Sequence, residues 1–390
     1  MVKNSIIWIV ALAVALASGL TAMGAIAKDK APELAISLPP VNGFAAAKIA
    51  SNSVKAAIAE NAGQFPDHVD PRAIELARAA FVAEPVVPDA IAILALEQAS
   101  RYEGRLMSSA LSLSRRQPLV TAWMIIDSGA RKDMPALLKH YDTLLRTNSS
   151  AGALVIPMLV EALATADFVD PFASVLRKQP PWASRFWATV VGTPEALGNA
   201  ADLREMLHRP NEPKSFYHDG SLILALVNAR QFEKAESLYR RLVGRKRTDN
   251  LLENGSFTET PEYFPIDWQL FSTGEFGSAI TGGKLEISAI NNSGGLLVRQ
   301  LVKLPARMVS LDIKPGNPIS QNAAMMVSLK CAQQVENAPQ AIRIPLTSKI
   351  TDLQIDNSRS GCNYYWFDIE GKASGDGDGF DITLDSVSLR

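Results

Sequence analysis

Residues 5–27 read SIIWIVALAVALASGLTAMGAIA, twenty-three positions without a single charge, entered behind Lys3 and left at Lys28-Asp29-Lys30. Wound as a helix rising about 1.5 Å per residue, such a run spans a hydrocarbon core of about 30 Å. Charges at both exits suit a spanning segment, because an unpaired charge in hydrocarbon is costly. A helix buried in a soluble core would normally keep one polar face. Two readings stay open. The run is an uncleaved anchor with Lys3 inside, or it is a secretory signal cut after Ala25-Ile26-Ala27, which has the small-x-small pattern. Its length exceeds the usual signal core of about 7–15 residues, which favours the anchor. Both send the remaining chain out of the cytoplasm. The expectation is an inner-membrane anchor with the bulk of the chain in the periplasm, the alternative being secretion after cleavage. No cysteine lies near the run, which excludes a lipid-modified cysteine anchor.

Export bears on the two cysteines, Cys331 and Cys362. Two thiols cannot build a four-thiolate metal site. In an oxidising compartment a pair within one small domain reads as a disulfide, the alternative being two buried free thiols. The formal net charge of −1 gives no basic surface for nucleic acid, so no nucleic-acid partner is expected.

With 390 residues the chain has room for two or three domains. Residues 28–43, with Pro39-Pro40, lack a sustained period and read as a linker. From 44 to 247 the texture is helical, with Ala and Leu at spacings of three and four and Pro or Gly between segments. Helices are expected from Pro71, from Pro88, and over 106–114, 120–126, 135–145, 153–165, 221–229 and 233–243. From 248 to 390 short alternating runs replace them: 285–288, 296–299, 308–311, 326–329, 342–344 and 380–389. Turn residues such as Gly282-Gly283 and Pro315-Gly316 separate these runs, which indicates an antiparallel β-sandwich. The fold class expected is therefore multidomain, α then β: an N-terminal transmembrane helix, an α-helical repeat-like solenoid and a C-terminal antiparallel sandwich.

Two resemblances follow. Ala130-Arg131-Lys132-Asp133 precedes a helix with Ala136 and His140 four apart, and Ala229-Arg230-Gln231-Phe232 precedes one with Ala235 and Tyr239 four apart. This weak echo resembles degenerate tetratricopeptide repeats, although the spacings do not hold at 34 residues. An irregular helical bundle is the other reading. The resemblance implies a groove for a protein partner, here an envelope protein bound by the helical domain. The last 140 or so residues resemble jelly-roll carbohydrate-binding modules and galactose-binding-like domains. The likeness rests on the opening Asn250-Leu251-Leu252-Glu253-Asn254-Gly255-Ser256-Phe257, on Pro265-Ile266-Asp267-Trp268, and on the closing run from Phe380 to Leu389. It implies that a polysaccharide is the ligand of the sandwich. The layout as a whole looks like accessory proteins encoded with bacterial exopolysaccharide export machinery.

Sugar binding needs flat aromatic faces for stacking with polar groups beside them. The candidates are Trp268, Tyr364, Tyr365 and Trp366, with Tyr263, Phe264 and Phe276 behind them. In a strand Tyr365 and Phe367 point opposite to Trp366, so only one set can be outward. Core filling is the competing role for all of them. Asp376, Asp378 and Asp381 sit in a Gly-rich loop that offers calcium-type oxygens, but Phe380 breaks the ligand spacing and an acidic turn is the simpler reading. No metal and no cofactor are expected. There is no HExxH helix, GxSxG elbow or CxxC pair, and no residue is assigned to catalysis. The basic run Arg240-Arg241 and Arg245-Lys246-Arg247 suits a polyanion or simply a solvated helix end. The function expected is a non-enzymatic periplasmic scaffold or accessory protein of envelope or exopolysaccharide biosynthesis. A carbohydrate-processing enzyme and a structural spacer are the alternatives.

Overall fold

The uncharged run forms helix α1 (Val2–Ala27), and among its described side chains Trp8, Val10, Leu12, Val14, Leu16, Met23 and Ile26 are exposed. Its one threonine, Thr21, donates to the carbonyl of Ala17 at 3.0 Å, so the hydroxyl is satisfied inside the helix. By length and composition α1 can cross a membrane. The computed structural model describes residues 2–39, 42–61, 65–66, 68–97, 103–209, 212, 217–244, 249–333, 340–358, 361–373 and 379–390.

The stretch 28–43, expected as a linker, holds a short helix. This is α2 (Pro32–Ser37), opened by a proline whose fixed φ suits the first helical position. Ala35 is buried, and Ile36 packs on a small cluster made by Ala46, Ala47, Ala80, Val87 and Ala90. That tertiary contact stabilises six residues that would not hold a helix alone.

Twelve further helices follow among the described residues: α3 (Gly43–Glu60), α4 (Pro71–Ala83), α5 (Pro88–Glu97), α6 (Glu103–Leu113), α7 (Pro118–Ala130), α8 (Met134–Thr147), α9 (Gly152–Ala162), α10 (Val169–Leu176), α11 (Ala183–Val190), α12 (Leu197–Leu207), α13 (Asp219–Asn228) and α14 (Phe232–Val243). Starts are chemically marked. Pro71 opens α4 behind Asp70, whose carboxylate accepts from the amide of Arg72, and Asp133 caps α8 by accepting from Ala136. From α3 to α8 each helix packs on the next, and fully buried alanines such as Ala50, Ala77, Ala92 and Ala110 let the backbones approach.

The chain divides into two compact units, Met1–Val155 with Pro180–Trp182, and Ile156–Gln179 with Ala183–Arg390. Helices α10 to α14 thus share a unit with the sandwich. Their own core is aromatic: Phe172, Phe186, Trp187 and Tyr217 stack in sequence at centroid distances of 5.2 to 5.9 Å.

Among the described residues the sandwich holds ten strands: β1 (Gln269–Leu270), β2 (Phe276–Thr281), β3 (Lys284–Ala289), β4 (Gly294–Lys303), β5 (Met308–Pro315), β6 (Ala323–Cys331), β7 (Ile342–Pro345), β8 (Ile350–Asp356), β9 (Tyr364–Ala373) and β10 (Phe380–Leu389). They pair antiparallel in two sheets, β1-β4-β9-β6-β7 and β2-β3-β10-β5-β8. The inward faces supply one core, with Leu297, Val327, Phe367 and Ile369 from the first sheet and Leu285, Leu311, Ile382 and Val387 from the second. The opening motif has a mechanical role. Asn250 donates to the carbonyl of Val387 and accepts from the amide of Leu389, tying the start of the domain to its last strand. Gly255 lies beneath that strand, where a Cβ would come within 2.2 Å of the Val387 carbonyl oxygen.

Candidate functional site

Strand β9 sorts the aromatic candidates. Tyr365 and Phe367 point into the core at 3% and 0% exposure, and the Tyr365 hydroxyl donates to Asn357 Oδ1 at 2.7 Å in a buried bond. Trp268 is 1% exposed, lies edge-on to Phe367 and donates its indole hydrogen to the carbonyl of Asn254 at 3.0 Å. Neither Trp268 nor Tyr365 has a face left for a sugar ring. Tyr364 and Trp366 point to the other side, the outer face of the first sheet, and there they part.

Trp366 remains partly exposed. The Arg299 guanidinium sits 4.8 Å from its ring centroid, and cation–π attraction holds the two together. Arg299 is itself locked by a two-pronged ion pair with Asp368, at 2.7 and 2.8 Å. That pairing, against partial burial, holds the guanidinium above its ordinary pKa. Register places Asp368 opposite Arg299 on one side and Ser328 on the other, with Arg343 beyond Ser328. The next row across runs Leu301, Trp366 and Lys330. The result is one indole flanked by fixed donors and acceptors on a rigid sheet, an arrangement able to stack on a flat apolar ring face and bond its hydroxyls.

Tyr364 is instead covered by helix α14. Its ring lies 5.2 Å from that of Phe232, and its hydroxyl donates to Glu236 Oε2 at 2.8 Å. Burial first, and the neighbouring Glu236 second, push the phenol far above its ordinary pKa. Lys303 stands 5.2 Å over the same ring and 3.6 Å from Glu236. Arg240 pairs with Glu236 one turn along the helix. The cavity at this seam, lined by Glu236, Tyr239, Glu253, Leu301, Lys303 and Tyr364 among others, measures about 50 Å³. Tyr364 itself is 2% exposed there, so its ring face is not open to a sugar. The seam therefore joins α14 to the sandwich and leaves Tyr364 out of any glycan surface.

Cys331, at the end of β6, and Cys362, just before β9, are joined as a disulfide. Asp376 and Asp378 lie outside the described residues, and Asp381 is an exposed position on β10. Among the described residues no group of three or more His, Cys, Asp or Glu is placed to hold a metal. Arg245, Lys246 and Arg247 also lie outside the described residues.

Sequence reasoning passed over one buried ionic cluster. Arg204 on α12 binds Asp219 at 2.7 and 3.0 Å, pairs with Glu212, and lies 4.0 Å over the ring of Tyr217. All three charged side chains are at least nine-tenths buried. Burial opposes the charge on Arg204, but its bonds to Asp219 outweigh this and its pKa is raised; for Asp219 burial wins over the arginine and the carboxyl is also raised. The two histidines of this region go different ways: His208 Nδ1 meets Glu212 at 3.1 Å, and His218 Nε2 lies 3.4 Å from the Ser184 hydroxyl. Nothing in the spacing of Arg204, Glu212 and Asp219 marks such a cluster. The only signal was one Asp at the start of an apolar helix.

No family model matches the chain, and no curated protein matches it. Among solved structures, one similar chain is from a structure of accessory secretory protein 1, 2 and 3 in Streptococcus pneumoniae, at 15% identity and a TM-score of 0.24, covering 33% of this chain and 99% of that one. Another is TmCBM61 in complex with β-1,4-galactotriose, at 14% identity and a TM-score of 0.25, covering 37% of this chain and 99% of that one.

Proposed function

We propose that this chain is a non-enzymatic accessory protein of a bacterial cell envelope, held in the inner membrane by α1 with its remaining mass in the periplasm. The observation that carries the reading is α1 itself, a 26-residue helix whose large described apolar side chains, from Trp8 to Ile26, stand mostly exposed. Such a helix needs an apolar environment from outside the protein. The Cys331–Cys362 disulfide supports an oxidising compartment. Within this reading the tetratricopeptide-like helices offer a protein partner a packed surface, and the sandwich meets a polysaccharide on the outer face around Trp366, in exopolysaccharide or envelope biosynthesis. Two fusions at Arg390 test the placement. Alkaline phosphatase, active only outside the cytoplasm, is expected to be active, and a fluorescent protein that matures only in the cytosol is expected to stay dark. The reverse pattern would overturn the whole proposal.

A further inference from the structure

Helix α1 does not end in open solvent. Its last turn meets the first helices of its own unit, and those helices carry several exposed large apolar side chains. Lys28, one residue past α1, places its ammonium 4.8 Å from the ring of Phe44 in the first turn of α3. Lys48, one turn on, donates to the carbonyl of Asp29 at 2.7 Å and stands 3.6 Å from its carboxylate. Gly24 of α1 is buried, and the space a Cβ would take there is bounded by the Asn42 side chain at 3.6 Å. The C-terminal end of α4 reaches the same place. A Cβ on Gly43 would come within 2.7 Å of Glu84 and 2.9 Å of the Ala80 carbonyl oxygen.

Around this junction five large apolar side chains face solvent: Leu34 on α2 at 48% exposure, Phe44 at 42%, Phe81 at 42%, Val82 at 82% and Val86 at 59%. Their neighbours in sequence, Ala35, Ala45, Ala80 and Val87, form the core, so the exposure follows from the way these helices are set and not from fraying. Single exposed hydrophobics are ordinary; five on α2, α3, α4 and the turn after it, the elements that adjoin the end of α1, are not. The charges beside them balance, with Lys28, Lys30 and Lys48 against Asp29, Glu33 and Glu84.

We infer that this foot of the first unit is a lipid seat. Leu34, Phe44, Phe81, Val82 and Val86 rest in the interfacial layer of the same bilayer that holds α1. The inference builds on the membrane reading of α1. What commits the surface to lipid is continuity: α1 ends one residue from Lys28, so a membrane around α1 lies against Phe44 and the elements packed beside it. The balanced charge makes the contact depend on apolar burial and not on anionic headgroups, in the manner of interfacial segments that lie in the headgroup boundary.

The test uses the full chain in vesicles of phosphatidylcholine alone. With Cys331 and Cys362 bonded, the thiol of Val82→Cys is the single site for a polarity-sensitive dye, and Val10→Cys on α1 provides a second protein. The seat requires a blue-shifted Val82 dye, quenched by lipid nitroxides near the headgroup and shielded from aqueous iodide, with little change at high salt. Val86→Cys should repeat this if the dye at 82 perturbs packing. A Val82 dye open to iodide while the Val10 dye is quenched by deep nitroxides sinks the seat and leaves the anchor standing. A Val82 dye shielded from iodide but untouched by lipid nitroxides also sinks it, because another protein copy then covers the patch. A Val10 dye that no lipid nitroxide quenches removes the anchor and the seat together.

Discussion

Tyr364 on β9 donates its phenolic hydrogen to Glu236 on α14 at 2.8 Å, so a strand of the sandwich and the last helix before it share a part-buried hydrogen bond to a carboxylate. The bond is one of the contacts by which α14 and the sandwich belong to one unit. Tyr364→Phe removes it while keeping the ring against Phe232. A hydrogen bond to a charged group contributes about 1.5–3 kcal/mol, so the variant should unfold that much more easily in a denaturant titration read by the sandwich tryptophans. The pH dependence is a second readout. Burial and Glu236 raise the phenol's pKa, so the folded state holds this proton more tightly than the unfolded state does. The contribution is whole below the unfolded value of about 10 and is lost as the pH climbs past it. The melting temperature of the native protein should therefore fall above that pH, and Tyr364→Phe should flatten part of the fall.

Arg204 neutralises two carboxylates that water does not reach. Its replacement by Met, which has similar bulk, strands Asp219 and Glu212 with negative charge in the interior. Removing one partner of a buried pair typically costs about 3–5 kcal/mol, and a loss of that order is expected in thermal or chaotrope melts. Because burial already raises the Asp219 carboxyl, the loss of Arg204 raises it further. A carboxyl with a raised folded pKa stabilises the fold as pH falls, so Arg204→Met should regain stability on going from neutral pH toward the Asp219 pKa. Arg204→Lys should recover little, since a single ammonium cannot reproduce the fork that meets both oxygens of Asp219.

Much of the architecture was legible because two periods differ. Spacings of three and four gave α4 to α9, α13 and α14, and alternation gave β3 to β7 and β10. The elements left unnamed share physical reasons. Helices α10 and α11 have eight residues each, and Pro171, Pro180 and Pro181 interrupt the pattern around them. Strand β8 is almost wholly exposed at the edge of its sheet, so Thr351, Asp352 and Gln354 show no apolar alternation to read. In β9 alternation alone puts Tyr364 and Trp366 on one face and Tyr365 on the other, but alternation carries no sign. Which face is outward depends on the partner sheet, and which outward residue is covered depends on α14.

The Cys331–Cys362 bond closes a loop spanning a sequence separation of 31 that contains β7 and β8. Confining a loop of that length in the unfolded chain is worth about 3–4 kcal/mol by the chain-entropy relation. Reduction, or the double change Cys331→Ser with Cys362→Ser, should lower sandwich stability by that order. It should also raise proteolysis within β7 and β8, the elements the loop encloses. An unchanged denaturation midpoint after verified reduction would show that the sheet pairing of β6 with β7 and β9 already confines the loop.

Trp268 and Trp366 separate a structural aromatic from a binding one. Trp268 fills the core, so Trp268→Ala should cost about 3–5 kcal/mol and disturb every property of the sandwich. Trp366 lies on the outer face beside Arg299 and Asp368, and Trp366→Ala should leave the melting temperature nearly in place. If the sandwich takes a polysaccharide through this indole, the same change should weaken retention in affinity electrophoresis about tenfold, equivalent to about 1.4 kcal/mol of stacking. Tyr365→Phe is the companion measurement. It removes the buried bond to Asn357, so it should shift stability by about 1 kcal/mol and leave retention alone. Retention that survives Trp366→Ala but drops with Tyr365→Phe would place the ligand elsewhere on the sandwich, because Tyr365 reaches no surface on this sheet.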